Sequence, residues 1–564
     1  MLRLVRWGFR PAALIAISVG LLALAALVVF PFDRSEGRPQ PLPVAAGEQE
    51  IAWLYPATST NSWERLTTAV QQACERLRST HPGLEWELDS GSRGESALTT
   101  APPTVGLTWP GGRGRLVFRW YKLTSQWTPR DWVRALVARD PPPLAIVGGN
   151  SSYWARELGG CLEEETRAIA GAIRPLLLLT TATADRVTTG EAVPLAPRAE
   201  EDRSVDLTSI YPGRTYRFCF SNRQMATAVT RFVWSRPDLR PEGDPAYLVQ
   251  WTDDSYSQDL FRGYMRVLPH RAADNFIQQW GWVTGGIGLG MPPMGLAGWQ
   301  TSGFRHEGAV QLDIDSSVGS FNSPNPYEAK VVRDLLAQRR SGPTSGSGLL
   351  VITGQAQPSR RLLRDLARSA PDASRQVVVV MGDALGFNTI YRDRQVTWPI
   401  QDLPFRLVFF SHRNPIDATA GFHLSRGDGT SGRTRAAGTE DVLLFRDIVE
   451  AVALAFQRPG TGCTTADELA RGLHAVHQVG DHLELPAGGG QGVALFAPGG
   501  QRGSGTGEHV VYLRPVRQGD RVLPVAVIEV WARQGDRSWL LVEPRLTVSY
   551  DEFEVRDVIA TPDE

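Results

Sequence analysis

Residues 144–185 read LAIVGGNSSYWARELGGCLEEETRAIAGAIRPLLLLTTATAD. An apolar run, Leu144 to Val147, stops at Gly148-Gly149, and Asn150, Ser151 and Ser152 then offer side-chain oxygens where a helix can begin. The helical stretch carries Tyr153, Trp154, Leu158 and Cys161 toward one side, and a second apolar run, Leu176 to Leu179, ends in Thr180-Thr181-Ala182-Thr183. Strand, glycine turn, helix and strand make a βαβ unit, whose strands run parallel. Both runs are apolar throughout rather than alternating, as strands covered on both faces are. Ligands in such open sheets bind beyond the carboxyl ends of the strands. Here those ends are the small polar clusters 148–152 and 180–183.

The same grammar recurs on either side. Upstream, Ile51–Tyr55 reads as a strand and Ser62–Arg78 as a helix, with Leu66, Ala69, Val70, Ala73 and Leu77 at helical spacing. Leu84–Leu88 and Leu116–Tyr121 read as strands, and Thr128-Pro129 as the cap and first turn of a helix through Ala138. Arg186 to Ser209 is polar and reads as a surface excursion. Downstream, strand-like runs at Tyr216–Phe220, Tyr247–Trp251, Leu349–Thr353, Val377–Met381 and Leu403–Phe410 alternate with helical stretches. Long helical patterns cover Thr439–Phe456 and Ala466–Val476, and Gly492–Tyr550 changes to alternating strands with glycine turns.

Composition bounds the rest. The chain has 564 residues, 42% hydrophobic and 21% charged, enough for more than one packed core. A net charge of -1 gives no support for nucleic-acid binding. Only Lys122 and Lys330 are lysines, so almost every basic residue is arginine. Four well-separated cysteines, Cys74, Cys161, Cys219 and Cys463, show no CxxC spacing; they read as isolated buried thiols, with one disulfide open as the alternative in an oxidising compartment. At the start, Arg3, Arg6 and Arg10 precede an uncharged apolar run from Pro11 to Phe32, long enough to cross a bilayer. No small-x-small site follows it closely, so it reads as an uncleaved signal anchor with its arginines on the cytoplasmic side and the bulk of the chain outside.

The ordered strand-end motifs resemble the type I periplasmic binding proteins, in particular the branched-chain amino-acid and amide receptors. Ile146–Ser152 looks like that family's first strand-to-helix turn, and Arg174-Pro175-Leu176 to Ala182 like the strand that follows. Tyr216-Arg217-Phe218, with Ser221-Asn222 and Gln224-Met225-Ala226, is similar to the crossing from first lobe to second. Asp253–Asp259 resembles the second lobe's first turn, with Ser257 where the family usually has glycine after tyrosine. Gly354–Ser359 and Gly382–Gly386 match the next turns, and Gly492–Tyr512 the final return. The likeness covers about Ile51 to Val476.

The resemblance implies two Rossmann-like α/β lobes with parallel sheets, joined by hinge strands and closing on a small ligand. The apolar run itself gives an anchor over residues 1–34, and the Pro-, Gly- and Glu-rich stretch after it a linker over 35–49; the resemblance divides the rest into a first lobe over 50–215, a second over 216–405 and a return to the first over 406–490, leaving a β-rich segment over 491–564. The ligand would meet Asn150, Ser151, Ser152, Thr181 and Thr183 from the first lobe. Tyr256 and Gln357 would come from the second, with Asp254 or Asp383 as partner for an amine. The partners implied are a small polar ligand such as an amino acid or amide, the membrane through the N-terminal helix, and a transporter or signalling protein. No cofactor is implied.

Plainer readings compete. Ser151 and Ser152 serve equally as helix caps, Asp253-Asp254 as an N-terminal charge, and Tyr256 as core packing. Most of the 17 tryptophans read as core rather than a sugar platform. Asp313–Ser317 has a calcium-loop flavour but Val318 at the glycine position. His474, His477 and His482 have no Cys or Glu to complete a metal set. Gly148-Gly149 continues into no dinucleotide fingerprint. The rival function is an α/β hydrolase using Ser152 or Ser255 with His412. A third reading is a degenerate lobe pair that binds a protein.

Overall fold

The computed structural model describes residues 39–55, 60–88, 103–110, 114–124, 127–168, 173–188, 204–240, 246–251, 254–268, 306–312, 332, 348–371, 375, 377–385, 404–415, 440–458, 462–479, 482–486, 492–504, 507–534, 538–549 and 556–558. The apolar run Pro11–Phe32, the Asp313–Ser317 loop and nearly all of Pro269–Gly308 lie outside these. None of the described helices is long and apolar enough to cross a membrane.

The first lobe is built on β1 (Glu48–Tyr55), α1 (Thr60–Thr80), β2 (Glu85–Leu88), β3 (Thr104–Thr108), β4 (Arg115–Lys122), α2 (Pro129–Val137), β5 (Ala145–Gly148), α3 (Ser152–Ala168) and β6 (Leu176–Leu179). A two-stranded ribbon, β7 (Arg186–Thr188) with β8 (Ser204–Asp206), forms the polar excursion, and β9 (Thr215–Arg217) completes the sheet. The strand order is β2-β3-β4-β1-β5-β6-β9. From β4 to β9 every pairing is parallel, while β2 and β3 extend the β4 edge as antiparallel strands. The opening βαβ unit is thus central, with Val147 beside Leu178 and Trp53. Its strands are buried along their whole length because helices cover both faces.

The second lobe follows with α4 (Asn222–Ser235), β10 (Ala246–Trp251), α5 (Ser255–Val267), β11 (His306–Leu312), β12 (Gly348–Ile352), α6 (Ala356–Ser369), β13 (Val377–Met381) and β14 (Arg406–Ser411). The chain then returns to the first lobe with α7 (Glu440–Gln457) and α8 (Ala466–His474), whose Val449, Val452, Phe456 and Leu469 join the core containing Trp53 and Leu66. A small sheet of β15 (His477–Val479), β16 (His482–Glu484) and β17 (Val493–Ala494) precedes four final strands. These are β18 (His509–Gln518), β19 (Arg521–Gln534), β20 (Ser538–Ser549) and β21 (Arg556–Val558).

Three expected boundaries move. β14 pairs in parallel with β13, so it belongs to the second lobe and the return to the first begins after it rather than at 406. The C-terminal strands form no separate segment. β18 pairs antiparallel with β14, and the second sheet runs β11-β10-β12-β13-β14-β18-β19-β20-β21. The expected linker over 35–49 is docked at its C-terminal end: Arg119 and Arg139 donate to the carbonyls of Pro43 and Leu42 while both hold the buried Glu50.

Candidate ligand-binding site at the hinge

Three segments pass between the lobes, and they touch. Phe218–Ser221 leads from β9 to α4, Ser411–Asn414 leaves β14, and the chain from Gly500 onward runs to β18. The Arg217 N–H donates to the Gly500 carbonyl at 2.8 Å, and the Gln224 amide to the Arg502 carbonyl at 2.8 Å. The Phe220 N–H donates to His412 Nδ1 at 3.1 Å, with the two rings stacked, 6.0 Å apart and 3° from parallel. The Arg502 guanidinium lies 5.4 Å from the centre of the Phe220 ring.

On the first-lobe side, the sequence-chosen residues gather at the ends of β5 and β6. Gly149 has φ +73, and a Cβ there would lie 2.8 Å from Leu179 Cδ2 and 2.9 Å from Ala155 Cβ, so glycine is required twice over. Ser151 accepts the Trp154 N–H at 3.3 Å, which makes it the helix cap. The buried Ser152 hydroxyl accepts the Ala184 N–H at 3.1 Å and so ties the two strand-end turns together. The Thr181 hydroxyl donates to the Asn150 carbonyl at 2.9 Å. Thr183 is buried, its carbonyl taking the Asn222 N–H at 2.8 Å. Asn150 is exposed and Thr181 half-buried, and in the first turn of α3 the exposed Tyr153 ring lies against Arg156.

On the second-lobe side, Asp254 caps α5 by accepting the Tyr256 N–H at 3.0 Å. The Tyr256 hydroxyl donates to Asp383 Oδ1 at 2.6 Å, and His412 Nε2 donates to Asp383 Oδ2 at 2.9 Å. Since His412 Nδ1 accepts the Phe220 N–H, the proton is on Nε2 and the ring is neutral. Burial is the largest influence and pushes the Asp383 carboxyl up, but its interactions with His412 and the Tyr256 hydrogen bond together outweigh it and hold it below the usual carboxylate range. Burial, with Asp383 beside it, drives the Tyr256 hydroxyl well above its ordinary value. Asp383 is therefore committed to Tyr256 and His412. Gln357 lies in the first turn of α6, and its side chain is outside the described residues. Ser257, in the family's glycine position, is buried; its oxygen accepts the Trp251 N–H at 2.8 Å and shares a hydrogen bond with Thr353 at 2.9 Å.

The hydrolase arrangement does not assemble around these groups. His412 directs one nitrogen to Asp383 and the other to Phe220, while Ser152 is bonded to Ala184 and Ser255 is exposed at the start of α5.

Several residues at the junction have roles that no local sequence pattern announces. Asp259 of α5 reaches across to accept the N–H groups of Asp185 (2.8 Å) and Arg186 (3.3 Å) and the Asn222 amide (2.9 Å). Burial and the neighbouring Asp185 raise its carboxyl above the ordinary value. Arg217 is fully buried and donates to the carbonyls of Thr183 and Ala184. Arg413 pairs with Asp447 of α7, and Arg502 donates to the Gln478 side chain. With 59 basic residues in the chain, nothing local marks these arginines; an arginine inside an apolar crossing such as Tyr216–Phe220 is the one available hint. All four cysteines are buried free thiols, and no group of three His, Cys, Asp or Glu suited to a metal occurs among the described residues.

No family model matches this sequence, and no curated protein does. Among solved structures the chain is similar to the branched-chain amino acid transporter substrate binding protein LivJ from Streptococcus pneumoniae in complex with isoleucine. The identity is 9% and the TM-score 0.45, over 88% of this chain and 100% of that one. A solute binding protein of an ABC transporter from R. palustris, in complex with 4-hydroxybenzoate, matches at 7% identity and TM-score 0.47, over 87% and 96%. The leucine binding protein LivK from Thermotoga maritima matches at 12% and 0.39, over 89% and 99%. The fold assignment stands on the topology itself: two lobes on parallel-strand sheets, each discontinuous in sequence and joined by three crossings, have the type I periplasmic binding protein arrangement that the strand-end motifs resemble.

Proposed function

We propose that this chain binds a small polar molecule between its two lobes, which open and close about the three crossings. One observation carries the reading: the strand ends of both sheets and the N-termini of α3, α4 and α5 converge on the same hinge, linked by Ser152–Ala184, Thr183–Asn222 and Asp185–Asp259. Helix N-termini present N–H groups that suit a polar or negatively charged group, and Asn150, Thr181 and Tyr153 border the first-lobe side. Binding rather than catalysis fits a site whose histidine is engaged at both nitrogens. The apolar run Pro11–Phe32 supports an extracytoplasmic, membrane-tethered receptor serving transport or sensing.

Thermal-shift screening and calorimetry of the chain from residue 39 onward, with amino acids, amides, aromatic acids and sugars, test the reading. At least one class should raise the melting temperature in a saturable way and compact the protein in solution scattering. A well-folded protein that answers to none of them would sink it.

A further inference from the structure

The centre of the hinge carries more positive charge than its described neighbours neutralise. Arg413, on the second crossing, is 1% exposed, and Arg502, on the third, is 2% exposed. Asp447, itself fully buried, pairs with Arg413 and has Arg446 3.6 Å from its other oxygen, so one carboxylate serves two guanidinium groups. The nearby Glu450 pairs with Arg76 at 3.6 Å. Arg502 has the neutral Gln478 amide oxygen and the face of Phe220; among the described residues no carboxylate pairs with it directly, and Asp447, already bound by Arg413, acts on it only at longer range. One terminal nitrogen on each, Nη1 of Arg413 and Nη1 of Arg502, is buried with no hydrogen-bond partner among the described residues.

A guanidinium in a dry interior without a counter-ion is among the most costly arrangements a fold can hold. The two groups also act on each other. Burial, then the charge of Arg413, brings Arg502 down to about 9, which still leaves it charged at neutral pH. Nearby, burial pushes the Glu450 carboxyl up to about 7 against the pull of Arg76, so negative charge there is only partly present. The unused donors belong to the residue type whose planar fork matches the two oxygens of a carboxylate or a phosphate edge.

We propose that Arg413 and Arg502 form an oxyanion site at the hinge, taking a carboxylate or phosphate-type group on their unpaired nitrogens. The inference rests on the two-lobe binding reading where the oxyanion is the head group of the clasped ligand. A free inorganic anion would use the same donors. Because the two arginines come from different crossings, an oxyanion held by both links those crossings and fixes the angle between the lobes.

The test uses the full chain, at constant ionic strength set with sodium chloride. Melting temperature and calorimetric binding are followed against sodium phosphate, sodium acetate, sodium benzoate, and the neutral acetamide and glucose, in wild type, Arg502→Gln, Arg502→Lys and the exposed control Arg223→Gln. The wild type and Arg223→Gln should be stabilised by at least one oxyanion but not by acetamide. Arg502→Gln should weaken that binding at least tenfold. Arg502→Lys, which keeps the charge and loses the fork, should weaken it several-fold and reports alone if Arg502→Gln does not fold. A response to phosphate alone identifies a free anion; a response to acetate or benzoate identifies a carboxylate head group. An unresponsive wild type, or Arg502 variants that bind the oxyanion as wild type does, overturns the site. Glucose or acetamide binding equally to all four proteins without any oxyanion response overturns the site and leaves the two-lobe reading standing. A phosphate response with no organic ligand bound upholds the site and counts against that reading.

Discussion

Gly149 turns the chain from β5 into α3 with a positive φ and with Leu179 and Ala155 where a side chain would begin. Gly149→Ala should therefore lose about 2–4 kcal/mol, from left-handed backbone strain and overpacking together. Gly160, in the same helix with nothing within 4 Å of its would-be Cβ, is the internal control: Gly160→Ala should gain roughly 0.5–1 kcal/mol from helix propensity. Urea midpoints of the two variants check this, and equal shifts would refute it. A second residue-scale prediction concerns Glu450. Burial lifts its folded value from 4.5 to about 7, with Arg76 opposing. Its contribution is intact below pH 4.5 and is lost as pH rises through 7. Glu450→Gln should gain on wild type as pH rises from 4 to 8, by on the order of 3 kcal/mol; a gap that stays constant with pH excludes the assignment. At this scale the sequence was readable where backbone geometry forces the residue, as at Gly148-Gly149. It was not readable where a role depends on distant partners. Tyr256 reads in the sequence as ligand contact or core, and the partner of its hydroxyl, Asp383, lies 127 residues away along the chain.

Among the elements, local chemistry fixes the ends of helices. Thr128 with Asp131, Ser221 with Gln224 and Thr465 with Glu468 each form a reciprocal capping box. Ser221→Ala, on the first crossing, should cost about 1 kcal/mol in a denaturant titration, while Ser209→Ala, whose exposed hydroxyl donates to the Asp206 carbonyl, should cost less. A Ser221→Ala cost no larger than that of Ser209→Ala would show that the cap contributes nothing. The helix start at Thr128-Pro129 and the strands Leu176–Leu179 and Val377–Met381 were legible because their signals are short-range. The lobe to which Arg406–Ser411 belongs was not. An apolar strand reads the same in either sheet, and only its pairing with Val378–Val380 on one side and β18 on the other decides the matter.

At the scale of the whole molecule, the cores are shared between distant stretches of chain. The first lobe needs α7 and α8 to cover the face of β1 and β5, and the second needs β18 and β19 to complete its sheet. With both lobes meeting through the hinge, calorimetric unfolding of the chain from residue 39 should be one cooperative transition, with van't Hoff and calorimetric enthalpies in agreement. Two well-separated peaks would show that the lobes melt independently. The pairing of β14 with β18 also bears on how the protein is made. Leu407 waits for Leu513, so during synthesis the β14 edge, with Phe409 beside it, stands unpaired until nearly the whole chain has emerged. Long-range pairings of this kind fold slowly. A released chain ending at residue 500 should have a first lobe that resists protease and a second that is still cut, and it is there that a chaperone would find its grip.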